Sequence, residues 1–90
     1  MDKTNYVYSL NLSDGCKYVG RTTNPEERIA QHFQGSGAEW TKLHAPTSVN
    51  SMQQCKSEES AKAAERIVYE KMRDYHGEDK VRGAGHTKST

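Results

Sequence analysis

Tyr6-Val7-Tyr8-Ser9-Leu10-Asn11-Leu12-Ser13-Asp14-Gly15-Cys16-Lys17-Tyr18-Val19-Gly20-Arg21 is the stretch on which the fold turns. Tyr6, Tyr8, Leu10 and Leu12 alternate with polar or smaller residues, the period of a strand with one buried face. Asp14-Gly15 is the strongest short hairpin-turn signal, and residues 16–21 return as a second strand. The hairpin's register decides where its inner tyrosines point. An ideal two-residue turn sets Tyr18 opposite Asn11 and puts Tyr8 and Tyr18 on opposite faces. A three-residue turn with Gly15 as a left-handed bulge shifts the pairing by one and brings them to the same face. A shared tyrosine site therefore predicts the bulged turn; otherwise a strand tyrosine is ordinary core.

Downstream, Asn24 can cap a helix, Pro25 suits its first position, and Glu26 and Glu27 lie at the positive end of its dipole. Ile29 and Phe33 fall four apart on one face, Arg28 and His32 on the adjoining one. Gly35-Ser36-Gly37 ends it. A loop carrying Trp40 and His44 leads to Pro46, and residues 47–55 read as a third, weaker strand. Ser57-Glu58-Glu59 opens a second helix running to about residue 75, with Ala61, Ala64, Val68, Met72 and Tyr75 as its inward stripe. The order β-β-α-β-α predicts an α+β domain: a small three-stranded antiparallel sheet flanked by helices. One domain over residues 1–82 is expected, with 83–90 a polar tail and loose packing from Gly77 onward.

Ninety residues hold one domain. Apolar types make up 32% of the chain and its mean hydropathy is -1.04, so the core is thin. There is no apolar run of membrane-spanning length and no secretory leader pattern, which points to an intracellular protein without a membrane partner. Thirteen basic against twelve acidic residues leave a net charge of +1. Bulk electrostatics then give little hold on nucleic acid, and any such partner needs a local patch. Cys16 and Cys55 lack paired spacing and the four histidines are scattered, so structural zinc is not expected and free thiols are.

Glu65 falls in or beside the inward stripe of the second helix. There it must be paired, protonated or bound to a cation, or else sit at the stripe's edge and pair with Arg66 or Lys62 in water. Arg28 and His32, cationic types four apart, gain nothing from each other on a helix. They make sense facing an anion such as a phosphate, or as a solvated face.

Together these residues resemble the GIY-YIG nuclease superfamily. Tyr6-Val7-Tyr8 is similar to the first tripeptide, with Tyr6 where Gly is usual, and Tyr18-Val19-Gly20 to the second. Asn24-Pro25-Glu26-Glu27-Arg28-Ile29-Ala30-Gln31-His32 resembles the family's first-helix segment, and Glu65 stands where its metal-binding glutamate does. Late in the domain, where some relatives carry Asn, this chain has Asp79 and Lys80. The segments 35–44 and 80–83 look most like the homing-endonuclease-like branch of large DNA viruses and protist mobile elements.

The resemblance implies a metal-dependent endonuclease whose catalytic residues are Tyr8, Tyr18, Arg28, His32 and Glu65. Glu65 would hold one Mg²⁺ or Mn²⁺, which takes few carboxylates and keeps waters. Arg28 would meet the scissile phosphate. Tyr8 is the first candidate for general base, with Tyr18 as its partner and His32 as the alternative base or phosphate donor. Arg21, Lys42 and Lys62 could form a substrate strip, and Trp40 could stack on a base or simply close the core. The expected partner is DNA, double-stranded or branched, gripped with help from a separate targeting domain or an oligomer. A non-cutting binding module for nucleic acid or protein on the same fold is the alternative.

Overall fold

Alternating side chains across the opening hairpin build two unlike faces of one sheet, and each face takes its own helical layer. The computed structural model describes residues 4–85. Strand β1 (Asn5–Leu12) pairs antiparallel with β2 (Lys17–Thr22), and on its other side antiparallel with β3 (Pro46–Cys55). A fourth strand, β4 (Val81–Gly83), lies parallel to β2 and completes a mixed sheet of order β3-β1-β2-β4. Helices are α1 (Pro25–Phe33), α2 (Glu39–Leu43) and α3 (Glu58–His76). Among the described residues, no helix is long and apolar enough to cross a membrane.

The α+β reading holds, with one strand more than expected. A three-residue strand in the polar segment Lys80-Val81-Arg82-Gly83 leaves no periodicity to read. Its burial is nonetheless complete: Val81 is 0% exposed and Arg82 9%. Arg82 donates to the carbonyls of Glu78 and Val81 and lays its guanidinium over the Trp40 ring, 4.4 Å from the centroid. Within the segment expected to pack loosely, Gly77, Glu78, Asp79 and Lys80 are exposed but Val81, Arg82 and Gly83 are buried, and β4 reaches Gly83, one residue past the expected end of the domain at 82. Residues 86–90 of the expected polar tail lie outside the described residues.

On one face Val7, Val19, Cys55 and Val81 meet Ala61 and Tyr69 of α3, with Ala64, Val68 and Met72 packed alongside. Tyr75, expected in this stripe, is 85% exposed. Ser57 caps α3 in a reciprocal pair with Ser60. On the opposite face Tyr8, Leu10, Leu12, Cys16 and Tyr18 meet Trp40 of α2 and Ile29 of α1. The α2 turn stands where a loop was expected; five residues are too few to show a helical period. Cys16 and Cys55 are buried free thiols.

Candidate active site

The hairpin loop has the longer form. Ser13, Asp14 and Gly15 make three residues between Leu12 and Cys16, with Asp14 and Gly15 both left-handed at φ 61° and 73°. The Leu12 amide donates to the Cys16 carbonyl at 2.9 Å. Tyr18 therefore pairs with Leu10 and Gly20 with Tyr8, so both tyrosines share the face toward α1, their ring centroids 6.4 Å apart. Gly20 is required there, because a Cβ at this position would sit 2.5 Å from the Tyr8 hydroxyl oxygen.

Asn24 caps α1 by accepting from the Glu27 amide, with Pro25 first in the helix as read from sequence. Arg28 and His32 point from this helix toward the tyrosines, but to different depths. Arg28 donates to Gln31 Oε1 at 3.0 Å and lines one cavity with both tyrosines, its charge favouring their ionised forms. His32 is 0% exposed, behind Tyr8: its Nε2 lies 2.8 Å from the Tyr8 hydroxyl and its Nδ1 3.0 Å from Thr41 Oγ1.

Glu65 comes from the other layer. Strand β4 pairs with Lys17, Tyr18 and Val19, and among the described residues no strand pairs with this edge of β2 beyond Val19. The Glu65 side chain, 15% exposed, reaches the same cavity as the tyrosines. Its partner is Arg21 Nε at 3.4 Å, rather than Arg66 or Lys62. Arg21 also reaches Glu58 at 3.5 Å. Tyr8, Tyr18, Gly20, Arg21, Arg28, Glu65 and Gly85 line a cavity of about 340 Å³.

Burial sets the titration of this cluster. It pushes both phenols up, with Arg28 opposing, and Tyr8 rises further because Tyr18 lies beside it. Burial first, and Arg28 second, lower His32 to about 4, so the ring is neutral at pH 7. Burial raises Glu65 against the pull of Arg21.

The remaining sequence candidates stand elsewhere. Trp40 is 4% exposed and donates its indole N–H to the Lys17 carbonyl at 3.0 Å, so it closes the core. Lys42 is exposed beside Glu39 and does not line the cavity, nor does Lys62, which pairs with Glu58. Sequence reasoning passed over Thr41 and Gly85. Only Thr41 had a signal: a lone threonine in the short segment after the helix that carries His32.

Among the described residues there is no group of three His, Cys, Asp or Glu that could enclose a metal ion. One hard carboxylate beside an open polar cavity instead fits Mg²⁺ or Mn²⁺, which retain water and take substrate phosphate as ligands.

Fold and site together define a GIY-YIG catalytic domain, and the family model of that description matches residues 4–79. The chain belongs to this family. It is 37% identical over 73 residues to a UPF0213 protein of Streptococcus pneumoniae serotype 4, covering 81% of this chain and 74% of that one. A UPF0213 protein of Streptococcus sanguinis is 32% identical, covering 81% and 84%. One from Natronomonas pharaonis is 44% identical over 46 residues, 51% of this chain and 54% of its own. No solved structure gives a match. These relatives are prokaryotic UPF0213 proteins, so they show the GIY-YIG family and not the finer similarity to viral and protist homing-endonuclease-like proteins.

Proposed function

We propose that this protein is a divalent-metal-dependent endonuclease that hydrolyses DNA phosphodiester bonds. The observation that carries the reading is the convergence of two phenols, a guanidinium and a carboxylate, from both layers of the fold, on one cavity of about 340 Å³. Arg28 meets the scissile phosphate, its fork of donors matched to charge gathering on the phosphate oxygens. Tyr8 accepts the proton of the attacking water as its own hydrogen passes to Nε2 of His32, and Tyr18 lies beside it facing the same Arg28 guanidinium. Glu65 would hold one Mg²⁺ or Mn²⁺ ion. When bound, the ion supplies Lewis-acid stabilisation of the phosphate and of the leaving 3' oxygen. His32 is buried behind Tyr8 and acts through it, not on the phosphate.

Net charge of +1 gives little grip, so a distorted or branched duplex, an oligomer or a further domain supplies the rest. A binding module without cleavage is favoured by one contact, the Arg21–Glu65 pair, which holds the metal-binding carboxylate with a protein cation. Plasmid incubated with Mg²⁺ or Mn²⁺ separates the two. Nicking by the wild type that is lost in Glu65→Ala and Arg28→Ala supports the nuclease. Binding of DNA without nicking by any of the three supports the module, and equal nicking by all three rules out this site.

A further inference from the structure

We infer that Thr41 is a positioning residue that locks His32 as the Nδ1–H tautomer and so turns the Tyr8 hydroxyl hydrogen away from the cavity. The chain of donors follows from one carbonyl. Thr41 Oγ1 lies 2.8 Å from the Ala38 carbonyl oxygen, which has no hydrogen to give, so the hydroxyl hydrogen lies between them. With the reverse orientation two oxygen lone pairs would face each other at that distance. Thr41 Oγ1 is then an acceptor toward His32, and Nδ1, 3.0 Å away, carries the proton. A neutral imidazole has one N–H, so Nε2 is left as an acceptor. The group facing it at 2.8 Å is the Tyr8 hydroxyl, which donates its only hydrogen inward.

Geometry leaves this chain little freedom. His32 is 0%, Thr41 1% and Tyr8 1% exposed, so water does not substitute for any partner. A Cβ at Gly37 would overlap His32 Nδ1, which marks how closely the backbone before α2 is pressed on the ring edge. The consequence falls on Tyr8. With its hydrogen committed to His32, the phenol oxygen presents only lone pairs to Arg28 and the cavity. A neutral phenol can then accept a hydrogen bond from water there, and the water is oriented before any proton moves. This consequence rests on Tyr8 as the proton acceptor of the proposed nuclease; the tautomer lock itself does not.

The test is ¹⁵N NMR of the histidine side chains at neutral pH without DNA, together with nicking rates, for wild type, Thr41→Val and Thr41→Ser. The expected result is a protonated Nδ1 and a bare Nε2 on His32 in the wild type. Valine gives a mixture of tautomers and at least about a tenfold slower nicking rate, a part of the roughly 100- to 10,000-fold that one positioned acid–base group contributes; serine restores both. An Nε2–H tautomer in the wild type, which needs no variant to fold, overturns the proposal. So does an unchanged Nδ1–H tautomer in Thr41→Val. A wild type that shows the lock and never nicks DNA sinks the nuclease reading and leaves the lock standing.

Discussion

The Tyr8 hydroxyl lies 2.8 Å from Nε2 of His32, and both groups are sealed from solvent. This bond ties the first strand to the first helix and joins the chemistry of the cavity to the stability of the fold. A residue that serves both cannot be changed without a trace in each.

Acid sensitivity is the first consequence. His32 titrates at about 4 in the folded chain against an ordinary 6.5, so between those values the unfolded chain binds more protons. Stability therefore rises with pH across that window and is lost as pH falls through it, by about 3 kcal/mol. Urea unfolding at pH 7 and pH 4.5 should show this loss in the wild type. His32→Gln should be weaker at pH 7 yet show a visibly shallower pH dependence. Parallel slopes would mean that His32 is not held neutral.

Gly20 faces Tyr8 across the hairpin, and a Cβ would sit 2.5 Å from its oxygen. Tyr8 cannot swing aside, since its hydroxyl is held by His32. Gly20→Ala should cost about 1–3 kcal/mol by overpacking and slow nicking more than tenfold. Unchanged activity and stability would show that Tyr8 has room this geometry denies it.

Arg21 competes with any ion for Glu65. Removing that cation should tighten Mn²⁺ binding about 3- to 10-fold, a Coulomb effect of about 1 kcal/mol at a partly exposed site. Electron paramagnetic resonance titration of Arg21→Gln at pH 8, where the carboxylate is ionised, measures it. Weaker binding would show that Arg21 organises the site instead, and Glu65→Gln should abolish binding in either case.

Strand β4 predicts that the end of the chain matters. Ending the chain after Lys80 removes Val81, 0% exposed, and the Arg82 guanidinium stacked on Trp40. Burying a valine is worth about 1.5–3 kcal/mol and a cation–π contact about 0.5–2. Thermal unfolding should fall by ten degrees or more, since about 1 kcal/mol moves a domain of this size by 4–8 °C. An unshifted midpoint would return this segment to the status of a tail.

What could be read from sequence was what local chemistry dictates. The hairpin, the Asn24-Pro25 helix start and the Ser57 cap each stand on neighbours within a few residues. The tyrosine register was legible because turn length and strand period constrain one another. Glu65 could be placed on a helix face, but its partner Arg21 is 44 positions away and on another element. Likewise Val81, Arg82 and Thr41 carry polar or short local patterns, and only the tertiary fold shows them to be core. Trp40 suited core closure better than stacking on a base, and Arg82 and the Lys17 carbonyl are what occupy it.

The central claim is that these side chains form one hydrolytic site, and Tyr8→Phe tests it with the loss of a single oxygen. Plasmid nicking in Mg²⁺ should fall at least about 100-fold, the scale of a lost general base, while circular dichroism keeps the native spectrum. A Tyr8→Phe protein that folds and nicks DNA at the wild-type rate would contradict the account.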